Sequence, residues 1–355
     1  MAREQHDYEA TDGRTFHHIT GITDKAWLKE RHTRINGTEA AVLINESPYC
    51  TPYELFHRKR GDIPEAFEIG MRGRVGKALE PAVAKLVGKE LKCKLRKLGG
   101  YFWNDDGMGA TMDYEIIEGS INVLGQNEEG TPVWKVQDGK GWLVEIKTVD
   151  FLIFRDNWCF EDQGQKVIEP PVHIELQGQH QCEVAARPGV IFATLVGGND
   201  LRFITRPADP NVGLGLRELT HKFWEDVGTN REPEVDFVND ADLIAQLYAH
   251  SDSESVYDGL EMDTLLKLCK QYEKARVIEK NAATAKKAAK SEMLTVIGSC
   301  SRARMPGGWS ISATEVAPSP GTLITPEMVG QVTGGRKGYR TFKVTHSTTT
   351  KKGKK

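Results

Sequence analysis

The chain has 355 residues with 47 Lys and Arg against 50 Asp and Glu, a formal net charge of −3. That length predicts one large domain with an appendage, or two domains, and the charge balance excludes a histone-like coating protein while leaving room for a local basic channel. No run of 18 apolar residues is present, so no membrane span is expected. The polar N-terminus has no secretory pattern, which predicts a cytosolic protein. The six cysteines, Cys50, Cys93, Cys159, Cys182, Cys269 and Cys300, are scattered without a Cys-x-x-Cys pair. A disulfide framework or a zinc or iron–sulfur site is therefore not expected.

In chain order, residues 1–23 read as an arm. A first helix runs from Asp24 to Arg31, with Trp27 and Leu28 as its core anchors. Thr38 is a candidate N-cap for the apolar run Ala40–Ile44, and Thr51-Pro52 opens another helix. From Arg72 to Leu91 the residues Val75, Leu79, Val83, Leu86 and Val87 keep helical spacing, interrupted by Pro81. Strands are predicted at Tyr101–Trp103, Ala110–Ile117, Trp142–Val149 and Val190–Val196, with a helix beginning near His173 between the last two. Helix, strands, helix and strand make a mixed α/β core.

The composition turns acidic and polar after residue 226, and a long helix with a thin Ala-rich seam is predicted over 265–298. Residues 299–345 read as a small β appendage containing WSISATEV and YRTFKVT, and 346–355 as a basic disordered tail. The seam suits either a helix lying along the core or a coiled contact between subunits. Basic clusters occur at Arg58–Arg60, at Arg72, Arg74 and Lys77, and at Lys92–Lys97.

The chemistry-bearing signal lies in the strand LVEIKTV. Glu145 and Lys147 are two apart, so a strand sets them on one face about 7 Å apart, with Trp142, Val144 and Ile146 on the other. A carboxylate there can hold a divalent metal while the ammonium orients a water, although Glu-x-Lys alone also describes a salt-bridged strand face. Asp113 falls on a neighbouring predicted strand. Two carboxylates from adjacent strands are the minimal hard-cation site, the remaining positions going to water and phosphate. Glu80, beside Pro81, is a third candidate carboxylate.

In sequence, GRVGKALEP, GATMDYEI, LVEIKTV, PPVHIELQGQHQCEVA and the upstream RINGTEAAVLINESPYCTPYELFHRKRGD resemble the lambda-exonuclease and YqaJ-type viral recombinase branch of the PD-(D/E)XK nucleases. The resemblance covers about Trp27 to Arg206. It implies a restriction-endonuclease-like α/β fold, a mixed central sheet flanked by helices, with the nuclease domain over 24–225 and a connecting segment over 226–264. Asp113 and Glu145 would be metal ligands with the Ile146 carbonyl, Glu80 would serve a second metal or its water, and Lys147 would activate water. Gln177 and Gln179 would orient the lysine and the scissile phosphate. Arg34 and Thr38 would contact the 5′ phosphate. Met112 stands where the family usually has Pro, Tyr114 where a small residue is frequent, and Thr38 where Ser is usual; these departures touch geometry and leave the metal ligands in place.

The implied activity is Mg²⁺-dependent 5′→3′ resection of double-stranded DNA ends for phage-type recombination, with Mn²⁺ able to substitute. A homotrimeric ring and a single-strand annealing protein are the implied partners, in a bacterial host's cytoplasm. The alternatives are an endonuclease or nickase on the same fold, or a catalytically inactive DNA-end binder; metal-dependent loss of DNA ends separates the last from the others.

Overall fold

A computed structural model describes residues 3–10, 13–64, 70–126, 132–162, 164–251 and 254–315. The chain divides into two compact units, 1–247 and 248–355. In the first, β1 (Glu4–Glu9) and β2 (Thr15–Thr20) form a hairpin, followed by α1 (Asp24–His32), β3 (Ile35–Asn36), a 3₁₀ helix (Gly37–Ile44), α2 (Pro52–Arg60) and α3 (Met71–Glu90). Next come β4 (Lys94–Lys97), β5 (Tyr101–Asn104), β6 (Met108–Ala110), β7 (Tyr114–Glu118), the hairpin β8 (Ser120–Gln126) and β9 (Pro132–Asp138), and β10 (Leu143–Val149). Then follow α4 (Phe151–Asn157), the hairpin β11 (Cys159–Asp162) and β12 (Gln165–Ile168), α5 (Val172–Val184), β13 (Gly189–Val196), β14 (Asp200–Pro207), α6 (Pro210–Gly228) and α7 (Ala241–Leu247).

Two five-stranded sheets result, one in the order β1-β2-β5-β6-β3 and the other β14-β13-β10-β7-β4. The second is mixed: β10 runs parallel to β13 and antiparallel to β7. Its two faces carry separate cores. Leu143, Val190 and Phe192 pack with Cys182 and Val184 of α5 and with Phe102 and Met108 of the first sheet. On the opposite face Val144, Ile116 and Ile191 pack with Val83, Ala84 and Val87 of α3. The mixed sheet thus lies between α3 and α5, as the expected fold class requires, and the two-residue alternation read in β10 is the alternation between these cores.

α5 has no apolar stripe, because it is enclosed by elements on several sides. Gln177, Gln179, His180 and Gln181 are all buried, so each polar head needs its own partner. Gly178 permits the close approach: a Cβ there would stand 2.5 Å from Phe192 Cζ.

Several expectations are corrected. The strand expected over Ala110–Ile117 is two strands in different sheets, β6 and β7, with residues 111–113 between them. Glu115 of β7 is 2% exposed and pairs with Arg96 and Arg187. The N-cap of the 3₁₀ helix is Asn36, not Thr38. The Asn36 backbone N–H donates to Glu39 Oε2 at 2.9 Å, and its side-chain oxygen accepts the Tyr101 hydroxyl at 2.6 Å. Neither Trp27 nor Leu28 is buried, since α1 has no buried residue; the Trp27 indole N–H instead donates to Thr111 Oγ1 at 3.0 Å. On α3, Val83 and Val87 face the core while Val75, Leu79 and Leu86 are exposed. The N-terminal arm is a hairpin whose second strand extends the first sheet through β5. β14 and α6 were not read from the sequence.

In the second unit, α8 (Met262–Ile297) has no buried residue and is followed by a short hairpin of β15 (Arg302–Arg304) and β16 (Ser310–Ser312). The YRTFKVT segment and the basic tail lie outside the described residues. Among the described residues, no helix is long and apolar enough to cross a membrane.

Candidate active site

The β10 strand presents Glu145 and Lys147 on the α5 side of the mixed sheet. Gln177 and Gln181 are four apart on α5 and therefore share one helix face. Their amide groups reach the same carboxylate: Gln177 Nε2 donates to Glu145 Oε1 at 2.6 Å, and Gln181 Nε2 to Glu145 Oε2 at 2.9 Å. Lys147 Nζ lies 2.9 Å from Glu145 Oε1 and donates to Gln177 Oε1 at 2.9 Å. Both charged heads are thus fixed by the same helix face. Glu145 is 5% exposed, which raises the strength of these interactions and the penalty for removing one.

Asp113 arrives from the β6–β7 break and accepts the Ile146 backbone N–H through Oδ2 at 2.9 Å. Burial, followed by the negative charge of Glu145, pushes its carboxyl well above the usual carboxylate range; the Ile146 N–H opposes the shift, the Glu80 charge adds to it and Lys147 opposes it. Glu80 on α3 accepts Lys97 Nζ at 2.9 Å. Among the described residues, no group of three or more His, Cys, Asp or Glu side chains is gathered as a metal cluster. The acidic donors here are the pair Asp113 and Glu145, with Glu80 acting on Asp113 through its charge.

Sequence reasoning paired Gln177 with Gln179, and the structure separates them. Residues two apart on a helix point in nearly opposite directions, and Gln179 Nε2 donates to Pro207 O at 3.0 Å while its Oε1 accepts the Asp209 N–H at 2.9 Å. Gln179 thereby ties α5 to the end of β14 and the start of α6. Gln181, which the sequence reading missed, takes the place beside Glu145; its i,i+4 relation to Gln177 was the available signal.

Lys147 and Gln177 line a cleft of about 1180 Å³ bordered by the 3₁₀ helix, α3, α4 and the start of α5. Thr38 lines the same cleft, brought there because Gly37 packs close to the Gln177 side chain. Arg34 does not line it: its guanidinium donates to Glu30 Oε2 at 2.6 Å and lies 4.7 Å over the Trp103 ring. His173 also lines the cleft, its pKa lowered by burial and then by the Lys147 ammonium, and it meets Tyr49 edge-on at 5.7 Å.

The basic clusters differ in what they face. Arg58 pairs with Glu54 and Lys59 with Glu39, and Arg60 lies 3.3 Å from Asp62. Lys94 pairs with Glu118, Arg96 with Glu115 and Lys97 with Glu80. Arg72, Arg74 and Lys77 at the start of α3 are exposed and make no ion pair among the described residues, and Arg72 lines the cleft.

Lys147 and Arg72 thus bring positive charge to the cleft, with the buried Glu145 carboxylate 2.9 Å from the Lys147 ammonium. Residues 26–188 match the YqaJ-like viral recombinase domain, a stretch that holds the site residues above. The chain is 22% identical over 236 residues to the uncharacterized protein YqaJ of Bacillus subtilis (strain 168), an alignment spanning 65% of this chain and 66% of that protein, just under two thirds of its length. Among solved structures it is similar to LHK-Exo in complex with dAMP, with a TM-score of 0.39 and 14% identity over 58% of this chain and 93% of that one. It is also similar to the alkaline exonuclease LHK-Exo from Laribacter hongkongensis, with a TM-score of 0.38 and 13% identity over 62% and 98% of the two chains.

Proposed function

We propose that the chain is a metal-dependent deoxyribonuclease that resects double-stranded DNA ends 5′→3′ to feed phage-type recombination in the host cytoplasm. The observation that carries the reading is the arrangement at Glu145, whose carboxylate is flanked by the Asp113 carboxylate and held against the Lys147 ammonium. A family of viral recombinases supplies the context.

The residues fit a hard divalent cation. Asp113 and Glu145 offer oxygen donors, and the upward push on Asp113 reflects buried negative charge that a cation would neutralise. Asp113, Glu145 and the Ile146 carbonyl would hold Mg²⁺ or Mn²⁺, with Glu80 serving a second ion or a bound water. When bound, the ion neutralises the phosphoryl oxygens and acidifies the attacking water. The protein's own groups do the rest. Lys147, kept in place by Glu145 and Gln177, orients the water and stabilises charge that develops on the phosphate. Arg72, Arg74 and Lys77 draw the DNA backbone to the cleft, and Thr38, which lines it, would receive the 5′ phosphate. Arg34 would join it only after leaving Glu30 and Trp103. A homotrimeric ring and a single-strand annealing partner complete the reading.

The test is digestion of linear duplex, with and without a 5′ phosphate, beside closed circular DNA, in Mg²⁺ or EDTA. Mg²⁺-dependent loss of linear DNA alone, faster with the phosphate, is expected. Cutting of circles would replace the reading with an endonuclease, and no degradation would replace it with a DNA-end binder.

A further inference from the structure

We infer that Gln181 is a positioning residue that sets the Glu145 carboxylate and locks it to the chain segment bearing Asp113, an inference that rests on the metal-dependent reading above. Its amide nitrogen donates to two acceptors at once, Glu145 Oε2 at 2.9 Å and the Thr111 carbonyl at 3.2 Å. Neither partner can donate, so the amide has one admissible orientation: turning it over would set its oxygen against two oxygens. The side chain keeps this orientation although its own Oε1 is buried with no hydrogen-bond partner among the described residues.

The hydrogen bond to Thr111 gives Gln181 its reach. Thr111 opens the break between β6 and β7, and two residues later Asp113 accepts the N–H of Ile146, the neighbour of Glu145. Gln181, Thr111, Asp113, Ile146 and Glu145 therefore close a ring of hydrogen bonds and chain that fixes the two carboxylates relative to each other. Gln177 differs in kind. It holds the other oxygen of Glu145 and also Lys147, and it lines the cleft, whereas Gln181 does not. Gln181 would act on the carboxylates without touching the substrate.

Partners that orient a metal ligand typically alter ion affinity by roughly 10-fold to 100-fold when removed. The test measures Mn²⁺ binding to the full chain, by the paramagnetic signal of the free ion, in wild type, Gln181→Met and Gln181→Asn. Methionine keeps the volume without the amide; asparagine keeps the amide one methylene short and guards against a methionine variant that does not fold. DNA affinity in EDTA and the melting temperature are measured alongside. Mn²⁺ affinity roughly 10-fold weaker in a folded variant, with metal-free DNA affinity unchanged, is the expected result. Unchanged Mn²⁺ affinity overturns the inference and leaves the nuclease reading intact, as does a loss of metal-free DNA affinity in proportion. A wild type that binds no Mn²⁺ overturns both.

Discussion

Asp113 accepts the backbone N–H of Ile146 at 2.9 Å, so a carboxylate from the β6–β7 break is pinned to β10 at the residue between Glu145 and Lys147. Burial, and after it the negative charge of Glu145, raises the Asp113 pKa. Asp113→Asn keeps an acceptor for Ile146 and removes the repulsion. The variant is expected to melt no lower than wild type in EDTA. Mn²⁺ at 100 times its wild-type Kd adds about 2.7 kcal/mol to the wild type and nothing to the variant, as melting curves with and without the ion would show. A variant still stabilised by Mn²⁺ would remove Asp113 from the ligand set.

Packing should reach the same centre through Gly178. Its Cβ position lies 2.5 Å from Phe192 Cζ and 2.8 Å from Val190 Cγ1, and neither a ring nor a β-branched side chain in this core can move aside easily. Gly178→Ala must push α5 off β13 and carry Gln177 and Gln181 away from Glu145. A stability loss of about 1–3 kcal/mol is expected, read by chemical denaturation, together with a fall in nuclease rate larger than that seen for Gln179→Ala.

DNA binding should follow α3. Replacing Arg72, Arg74 and Lys77 together by Ala removes three exposed cations that have no ion pair among the described residues. The logarithmic salt dependence of duplex binding, measured in EDTA, is expected to fall by about 1 for each phosphate that the variant no longer neutralises. The same change at Arg58, already paired with Glu54, should leave the salt dependence as it was.

Acid sensitivity should follow His180. The imidazole is fully buried, its Nε2–H donates to Gly109 O at 3.0 Å, and burial lowers its pKa from 6.5 to about 4. A depressed folded-state pKa means the unfolded chain binds the proton first. The stability is present above pH 6.5 and is lost as pH falls towards 4, about 3 kcal/mol in all. His180→Gln does not titrate, so its stability should vary less steeply between pH 6.5 and 4. Equal slopes in the two proteins would show that His180 takes up its proton as readily in the fold as in the unfolded chain.

The β10 strand was legible in sequence because its two-residue period coincides with two different cores, one containing Leu143 and the other Val144 and Ile146. The same reasoning failed one strand earlier. The string GATMDYEI alternates well enough to read as continuous, yet the chain leaves one sheet at Ala110 and enters another at Tyr114, placing Asp113 in the gap. Alternation reports which face is buried and is blind to which sheet buries it. For α5 the difficulty was different: a helix enclosed on several sides has no apolar stripe, so the division of labour among Gln177, Gln179 and Gln181 depends on neighbours far away in sequence. Helical spacing alone does pair 177 with 181. Arg34 was placed by resemblance, and the pairing of its guanidinium with Glu30 is a local i,i+4 interaction that the resemblance did not carry.

In the proposed reaction Lys147, held by Glu145 and Gln177, serves phosphodiester cleavage. This role is tested most directly by the initial rate of 5′-phosphorylated linear duplex digestion at saturating Mg²⁺, wild type beside Lys147→Ala. A rate lower by at least about 100-fold, with the variant still folded and still binding DNA, is the predicted result. A folded variant within about twofold of wild type would contradict the account, because its Glu145 and Asp113 would then be cleaving without the group they are arranged around.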